Sequence, residues 1–210
     1  MAVWTVSAEV GTGAERVAAL LAEASGAELL DRAALLRLAH DLHVDLGGIE
    51  DVDELEARAG GRLDLIACSM AVLAGSGDAV RAMQEQRPVP ELVQVVAAAA
   101  ASRPCVILAP GAFAALPLHH TAVHARLFAP FAWRVEQVQR ERMLDRRHAE
   151  KAVRHDDRAR RAWVQQLFGV DVGDCRRFSV SVDASRVAPD RIVELLLAAG
   201  GVPAVQPVAS

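Results

Sequence analysis

The residues best suited to chemistry are small ones near the start of the chain and basic ones about two thirds of the way along it. Gly11-Thr12-Gly13 follows a short apolar, β-prone run, Ala2-Val3-Trp4-Thr5-Val6. The loop Ser7 to Ala14 leads into Glu15-Arg16-Val17-Ala18-Ala19-Leu20-Leu21, which reads as a helix. A strand, a small-residue loop and a helix in that order aim successive backbone N–H groups and a helix N-terminus at one point. Such a point suits an anion, most often a phosphate. The strict phosphate-loop spacing places a lysine after the second glycine. Here Ala14 stands in that place, and Lys151 is the sole lysine among 23 basic residues. Taken alone, the loop is either a lysine-free phosphate site or an ordinary tight turn.

The second candidate is the stretch from Arg134 to Arg161. It holds ten basic residues (Arg134, Arg140, Arg142, Arg146, Arg147, Lys151, Arg154, Arg158, Arg160, Arg161) and six acidic ones (Glu136, Glu141, Asp145, Glu150, Asp156, Asp157). Ten minus six gives +4 inside a chain of net charge -4. On a helix, Arg154, Arg158 and Arg161 lie at i, i+4 and i+7 on one face, with Asp157 and Arg160 on the neighbouring face. One reading is a solvated helix laced with pairs such as Glu150–Arg154, each worth about 0.3–0.5 kcal/mol. The other is an arginine lid, whose planar guanidinium forks fit phosphate oxygens and whose charge stabilises phosphoryl transfer.

Lesser candidates are soon weighed. Asp31 opens a helix expected over Arg32 to Leu42. It reads as an N-cap worth about 1 kcal/mol or as part of a substrate pocket. His119, His120 and His124 would need a helix to share a metal, and Pro117 and the strand expected from Val123 deny them one. No protein-built metal site is expected. Cys68, Cys105 and Cys175 stand far apart, and three cannot all pair, which points to a reduced, cytoplasmic setting. No G-x-S-x-G or ordered His/Asp pattern supports a hydrolase.

These residues need a scaffold, and the chain spells one. Short strands are expected at Ala2–Val6, Ala27–Leu30, Pro104–Ala109, Val123–Phe128 and Phe178–Val182. Helical segments are expected at Glu91–Ala101, Ala112–Leu116, Phe131–Arg142, Arg146–Phe168 and Pro189–Ala199, with Gly26 as a C-cap and Asp145 as an N-cap. Strands alternating with helices predict an α/β fold, a parallel sheet covered on both faces. Ligands then sit beyond the carboxyl ends of the strands. Ser7, Asp31, Ala109-Pro110-Gly111 and Ala129-Pro130 all fall at such ends. Val44 to Gly61 is acidic and reads as a solvated segment. Arg62 to Met83 is mostly apolar, with Gly75-Ser76-Gly77 interrupting it.

Composition narrows the function. With 52% hydrophobic residues the chain can bury a core, while 4% aromatics and no Tyr leave aliphatic and Ala packing to fill it. A net charge of -4 gives no whole-chain case for nucleic acid. No leader is expected at the N-terminus, and no apolar run reaches the ~20 residues of a membrane span.

Taken in order, several stretches resemble the cytidylate-kinase-like family, a branch of the P-loop nucleoside monophosphate kinases. They are V-S-A-E-V-G-T-G-A-E-R-V-A (Val6 to Ala18), L-L-D-R (Leu29 to Arg32), C-V-I-L-A-P-G-A (Cys105 to Ala112), V-H-A-R-L-F-A-P-F-A-W-R-V (Val123 to Val135), R-H-D-D-R-A-R-R-A (Arg154 to Ala162) and S-V-D-A-S (Ser181 to Ser185). Val44 to Pro90 matches poorly. The resemblance implies a three-layer α/β/α kinase-like domain over residues 1–201. It would carry an acceptor-binding insertion near 44–90, an arginine-rich lid near 140–165 and a flexible tail from 202 to 210. It implies ATP with Mg²⁺ as donor and a nucleoside monophosphate, CMP or dCMP, as acceptor. Gly11, Thr12, Gly13, Ala14, Glu15 and Arg16 would hold the donor phosphates, and Asp31 and Arg32 the acceptor. Arg154, Arg158, Arg160 and Arg161 would form the lid, with Arg16, Arg134, Arg158, Arg160 and Asp157 in the catalytic set. The chain departs from the family pattern at Ala14 and Arg16, where a lysine and a hydroxyl residue stand, at Ala8 in the S-R-E opening, and at Pro110 in G-R-G. Each lost transition-state donor costs roughly 10²–10³ in rate. These departures leave a second reading open, a catalytically impaired nucleotide-binding protein that acts as a sensor or binds a partner, and a third, a structural relic that binds nothing.

Overall fold

The computed structural model describes residues 2–31, 34, 102–116 and 122–202, without the side chains of residues 163, 166 and 167. Several expectations lie outside the described residues: nearly all of the helix after Asp31, the acidic and apolar segments from 44 to 90, the helix at 91–101, Arg32, His119, His120 and the tail from 203.

The described elements are β1 (Val3–Ala8), α1 (Ala14–Ser25), β2 (Glu28–Leu30), β3 (Cys105–Leu108), α2 (Ala112–Ala115), β4 (Ala122–Phe128), α3 (Phe131–Arg142), α4 (Arg146–Phe168), a short 3₁₀ turn (Cys175–Arg177), β5 (Val180–Asp183) and α5 (Pro189–Ala199). The strands form one five-stranded sheet in the order β2-β3-β1-β4-β5, and every pair is parallel. β1 is therefore the central strand.

Side chains alternate across β1 as a strand requires. Trp4 and Val6 point to one face, where they pack with Val17, Ala18 and Leu21 of α1 and with Ile192, Leu196 and Leu197 of α5. The Trp4 indole donates to the Leu196 carbonyl at 2.8 Å. A Cβ on Gly200 would come within 2.7 Å of that indole, so only glycine lets α5 end so close. Val3 points to the other face with Cys105 and Ile107, covered by Ala112, Ala115 and Leu116 around α2. Beside them, Val164 of α4 packs on Phe113 and Ala114. The two apolar faces make the expected three-layer arrangement.

Local signals fixed the helices well. α3, α4 and α5 have the expected ends. The Asp145 carboxylate accepts the His148 N–H at 2.9 Å, capping α4, and Gly26 closes α1 in the left-handed region at φ 64°. The strands shifted more. β1 continues past Val6 because Ser7 and Ala8 pair with Arg126 and Leu127 of β4. Phe178 lies outside β5; its ring packs against Phe113 with centroids 4.6 Å apart.

Candidate functional site

The loop from Glu9 to Gly13 leaves the carboxyl end of the central strand and turns straight into α1. Gly11 and Gly13 both take left-handed backbone, φ 80° and 72°. At Gly11 no other residue would fit: a Cβ there would lie 2.7 Å from the Arg134 carbonyl oxygen and 3.0 Å from Val138 of α3. The Thr12 hydroxyl donates to the Glu9 carbonyl at 2.8 Å, tightening the turn. The first bond of the helix runs from the Val17 N–H to the Gly13 carbonyl. Among the described residues, the backbone N–H groups from Gly11 to Arg16 meet no backbone acceptor. Converging free N–H groups at the positive end of a helix form a cradle for an anion. Ala14 is buried at the first position of α1, the fourth residue of that cradle, while Glu15 and Arg16 are exposed on the first turn of α1.

Side chains from α3 and α4 hold the start of the loop. Arg134 is 6% exposed. Its Nε donates to the Ala129 carbonyl at 3.0 Å, and its Nη1 donates to the Val10 carbonyl at 3.1 Å and to Asp157 Oδ2 at 2.6 Å. The other Asp157 oxygen accepts the Val10 N–H at 3.1 Å. Asp157 and Arg134 thus take both backbone groups of Val10. Arg160 donates from Nη1 to the Ala8 carbonyl at 2.8 Å, and its buried Nε has no partner. Burial pulls the Arg160 guanidinium below its ordinary pKa, opposed by the charges of Glu15, Asp156 and Asp157. Burial pushes the neighbouring Asp156 carboxyl up, against the pull of Arg142, which it meets at 3.2 Å.

The structure brings the loop residues together with Arg134, Asp157 and Arg160. It does not bring the other lid residues there: Arg154, Arg158 and Arg161 are exposed, and the Arg154 guanidinium lies 4.3 Å above the Phe131 ring. Asp31 is exposed at the end of β2, with β3 between it and the central strand. Its carboxylate accepts the Ala34 N–H at 2.9 Å, as a helix cap does. His124 faces the sheet, its Nδ1 2.8 Å from the Thr5 hydroxyl.

Sequence reasoning missed Glu9. One of its oxygens lies 3.5 Å from Arg126. The other accepts the Ala129 N–H at 3.3 Å and lies 3.3 Å from Arg134. Glu9 therefore ties the loop to β4 and α3. The available signal was the charge itself, since an acid inside an anion loop needs cations beside it.

The donor set of free backbone N–H groups fits a phosphate. Among the described residues no three His, Cys, Asp or Glu side chains gather to hold a metal, and Asp156 and Asp157 already face arginines.

The all-parallel sheet of order β2-β3-β1-β4-β5, with its central strand opening through a glycine loop onto a helix, has the arrangement of the phosphate-loop kinase folds. The chain belongs to the cytidylate kinase-like family, whose profile matches residues 3–186. It is a nucleotide kinase-like protein, of a family that implies use of a nucleotide and a metal in general. Among the solved structures similar to the chain are the following two. An uncharacterized protein from Eubacterium ventriosum aligns with TM-score 0.61 at 17% identity, over 94% of this chain and 98% of its own. Shikimate kinase from Bacteroides thetaiotaomicron aligns with TM-score 0.50 at 10% identity, over 94% of this chain and 97% of its own. No curated protein sequence matches the chain. Among the described residues no helix is long and apolar enough to cross a membrane.

Proposed function

We propose that this protein is a cytoplasmic phosphotransferase that moves the γ-phosphoryl group of ATP to a nucleoside monophosphate, CMP or dCMP. The observation that carries this reading is the row of free N–H groups from Gly11 to Arg16 with the Arg160 guanidinium bonded at the end of the strand feeding it. The N–H groups cradle the donor phosphates. Arg160, from α4, and Arg16, from α1, supply the charge that Ala14 lacks. Arg134 and Asp157 act one step back and hold Val10, and with it the loop, in shape. Asp31 and Arg32 are assigned to the acceptor. Mg²⁺ would arrive with the nucleotide's own phosphates.

A second reading has its own observation. The buried methyl of Ala14 fills the place of the lysine, and both Asp157 oxygens and the Arg134 Nη1 are committed to the loop or to each other. A loop so held binds nucleotide without turning it over.

Assaying ADP formation with ATP, Mg²⁺ and a panel of monophosphates separates the two. Turnover with CMP or dCMP, lost in Arg160→Ala, is the expected result. Nucleotide binding by calorimetry without any turnover would overturn the kinase and leave the binding protein. Neither binding nor turnover would overturn both.

A further inference from the structure

α4 has two sides. On one, Ala149, Val153, Asp156 and Val164 are buried, Asp157 bonds to the loop and Arg160 to the Ala8 carbonyl at the end of β1. On the other stand Arg147, Lys151, Arg154, Arg158 and Arg161, all exposed. Their spacing of 4, 3, 4 and 3 residues keeps them on one face. From Arg147 to Arg161 is 14 residues, about 21 Å of helix at 1.5 Å per residue.

Among the described residues the other exposed arginines are treated differently, except Arg16 beside the loop, which is also in no ion pair. Arg103 pairs with Glu28, Arg140 with Glu136, Arg146 with Glu150, Arg176 with Asp174, Arg186 with Asp183 and Arg191 with Glu194. None of the five cations on the outer side of α4 is in an ion pair among the described residues. Arg147 and Lys151 stand at i,i+4, as do Arg154 and Arg158, an arrangement of like charges that weakens a helix. A face kept cationic against its own helix calls for an external anion.

The length and place of the stripe select that anion. It is too long for one triphosphate and lies away from the loop. An acidic protein partner would need an apolar anchor at the centre of its contact. The exposed large apolar side chains among the described residues are Met143 and Leu195, and neither lies on the stripe. A phosphodiester backbone needs cations alone. The net charge of -4 does not decide against it. Screening limits each charge to about 8 Å at physiological salt, less than the length of the stripe, so the local field governs contact.

We propose that the outer side of α4 binds the phosphate backbone of duplex nucleic acid, without sequence preference, through Arg147, Lys151, Arg154, Arg158 and Arg161. The five residues of the stripe are all cations, and the ring beside them, Phe131, is covered by the Arg154 guanidinium, which favours an intact duplex over a single strand that needs an open ring to stack on. This goes beyond the kinase reading and does not rest on it.

The test is fluorescence anisotropy of a labelled duplex of about 20 base pairs with the full chain, titrated from 50 to 200 mM salt. Five phosphate contacts at about 0.9 each predict a log–log salt slope near −4.5, with micromolar affinity at the low-salt end. The double variant Arg147→Glu, Lys151→Glu should weaken binding at least about tenfold and flatten the slope by about 1.8. Nucleotide binding at the loop, followed by calorimetry, should not change, which keeps this result separate from the kinase reading. Relief of the like-charge pairs should leave the melting temperature of the variant at or above that of the parent. Should the charge reversal disturb folding, Arg147→Gln with Lys151→Gln gives the same direction with a smaller step. No duplex binding at 50 mM salt, binding unchanged in either variant, or capture of poly-glutamate in preference to the duplex would overturn the proposal.

Discussion

On the inner side of α4, Asp156, Asp157 and Arg160 each meet a partner: Arg142, Arg134 with the Val10 N–H, and the Ala8 carbonyl. On the outer side, Arg147, Lys151, Arg158 and Arg161 meet none among the described residues, and Arg154 meets only the Phe131 ring. The two sides are separated by roughly a third of a turn of the helix. Inside, charge is spent on fixing a loop, and losing one member leaves buried groups unpaired. Outside, charge is left available, and Arg154 alone makes a contact, with the Phe131 ring. What an arginine does here is set by its angle around the helix axis, not by its place in a basic run.

The comparison breaks most readily at Asp157. Asp157→Ala strands the Val10 N–H and the buried Arg134 together, and should cost about 2–4 kcal/mol in urea unfolding. Asp157→Asn keeps an acceptor for one of them and should cost less. A loss below about 1 kcal/mol for the alanine variant would show that the inner network does not hold the loop.

Gly11→Ala should come next, at about 1–3 kcal/mol, because it combines left-handed backbone with a contact against the Arg134 carbonyl. Gly13→Ala shares the backbone strain, but its Cβ would meet nothing within 4 Å. The melting temperature should therefore fall further for Gly11→Ala than for Gly13→Ala. Equal losses would remove α3 from the account of the loop.

The carboxyls divide in the same way. Burial raises Asp156 above its ordinary 3.8 despite Arg142. The folded protein then takes up that proton at a higher pH than the unfolded chain. The Asp156 contribution to stability is present below the unfolded value and is lost as pH rises through the raised one. Asp145, exposed at the N-terminus of α4, is held below 3.8 by its bonds from the His148 N–H and side chain. Its contribution is present above the ordinary value and is lost as pH falls through the lowered one. Carboxyl-carbon NMR should show Asp156 titrating above 3.8 and Asp145 below it. The reverse order would contradict the inner-versus-outer division.

The smallest effects belong outside. Arg147→Ala and Lys151→Ala should each move stability by less than about 0.5 kcal/mol, towards greater stability, as like-charge neighbours are removed. Thermal melts check the sign.

Much of this was legible in the chain. Asp145, Gly169 and Pro189 are local signals, and the helices they bound are where the sequence placed them. The strand at Val3 ran on to Ala8 through pairing with a segment more than a hundred residues away, which no local pattern shows. The helical spacing separated Arg154, Arg158 and Arg161 from Asp157 and Arg160 correctly. It gave no means of knowing which group would face the loop, because that depends on Val135, Val138 and Val10 packing against Ala149 and Val153. Glu9 escaped notice because its three contacts, Arg126, Ala129 and Arg134, come from β4, the following turn and α3.

The central claim is that the inner side of α4 completes a lysine-free phosphate cradle. Measuring ATP-dependent turnover of CMP in Arg160→Ala beside Arg158→Ala tests it most directly. Loss of about a hundredfold or more in Arg160→Ala, with Arg158→Ala close to the parent, is the predicted result. Equal activity in the two variants, or loss confined to Arg158→Ala, would contradict it.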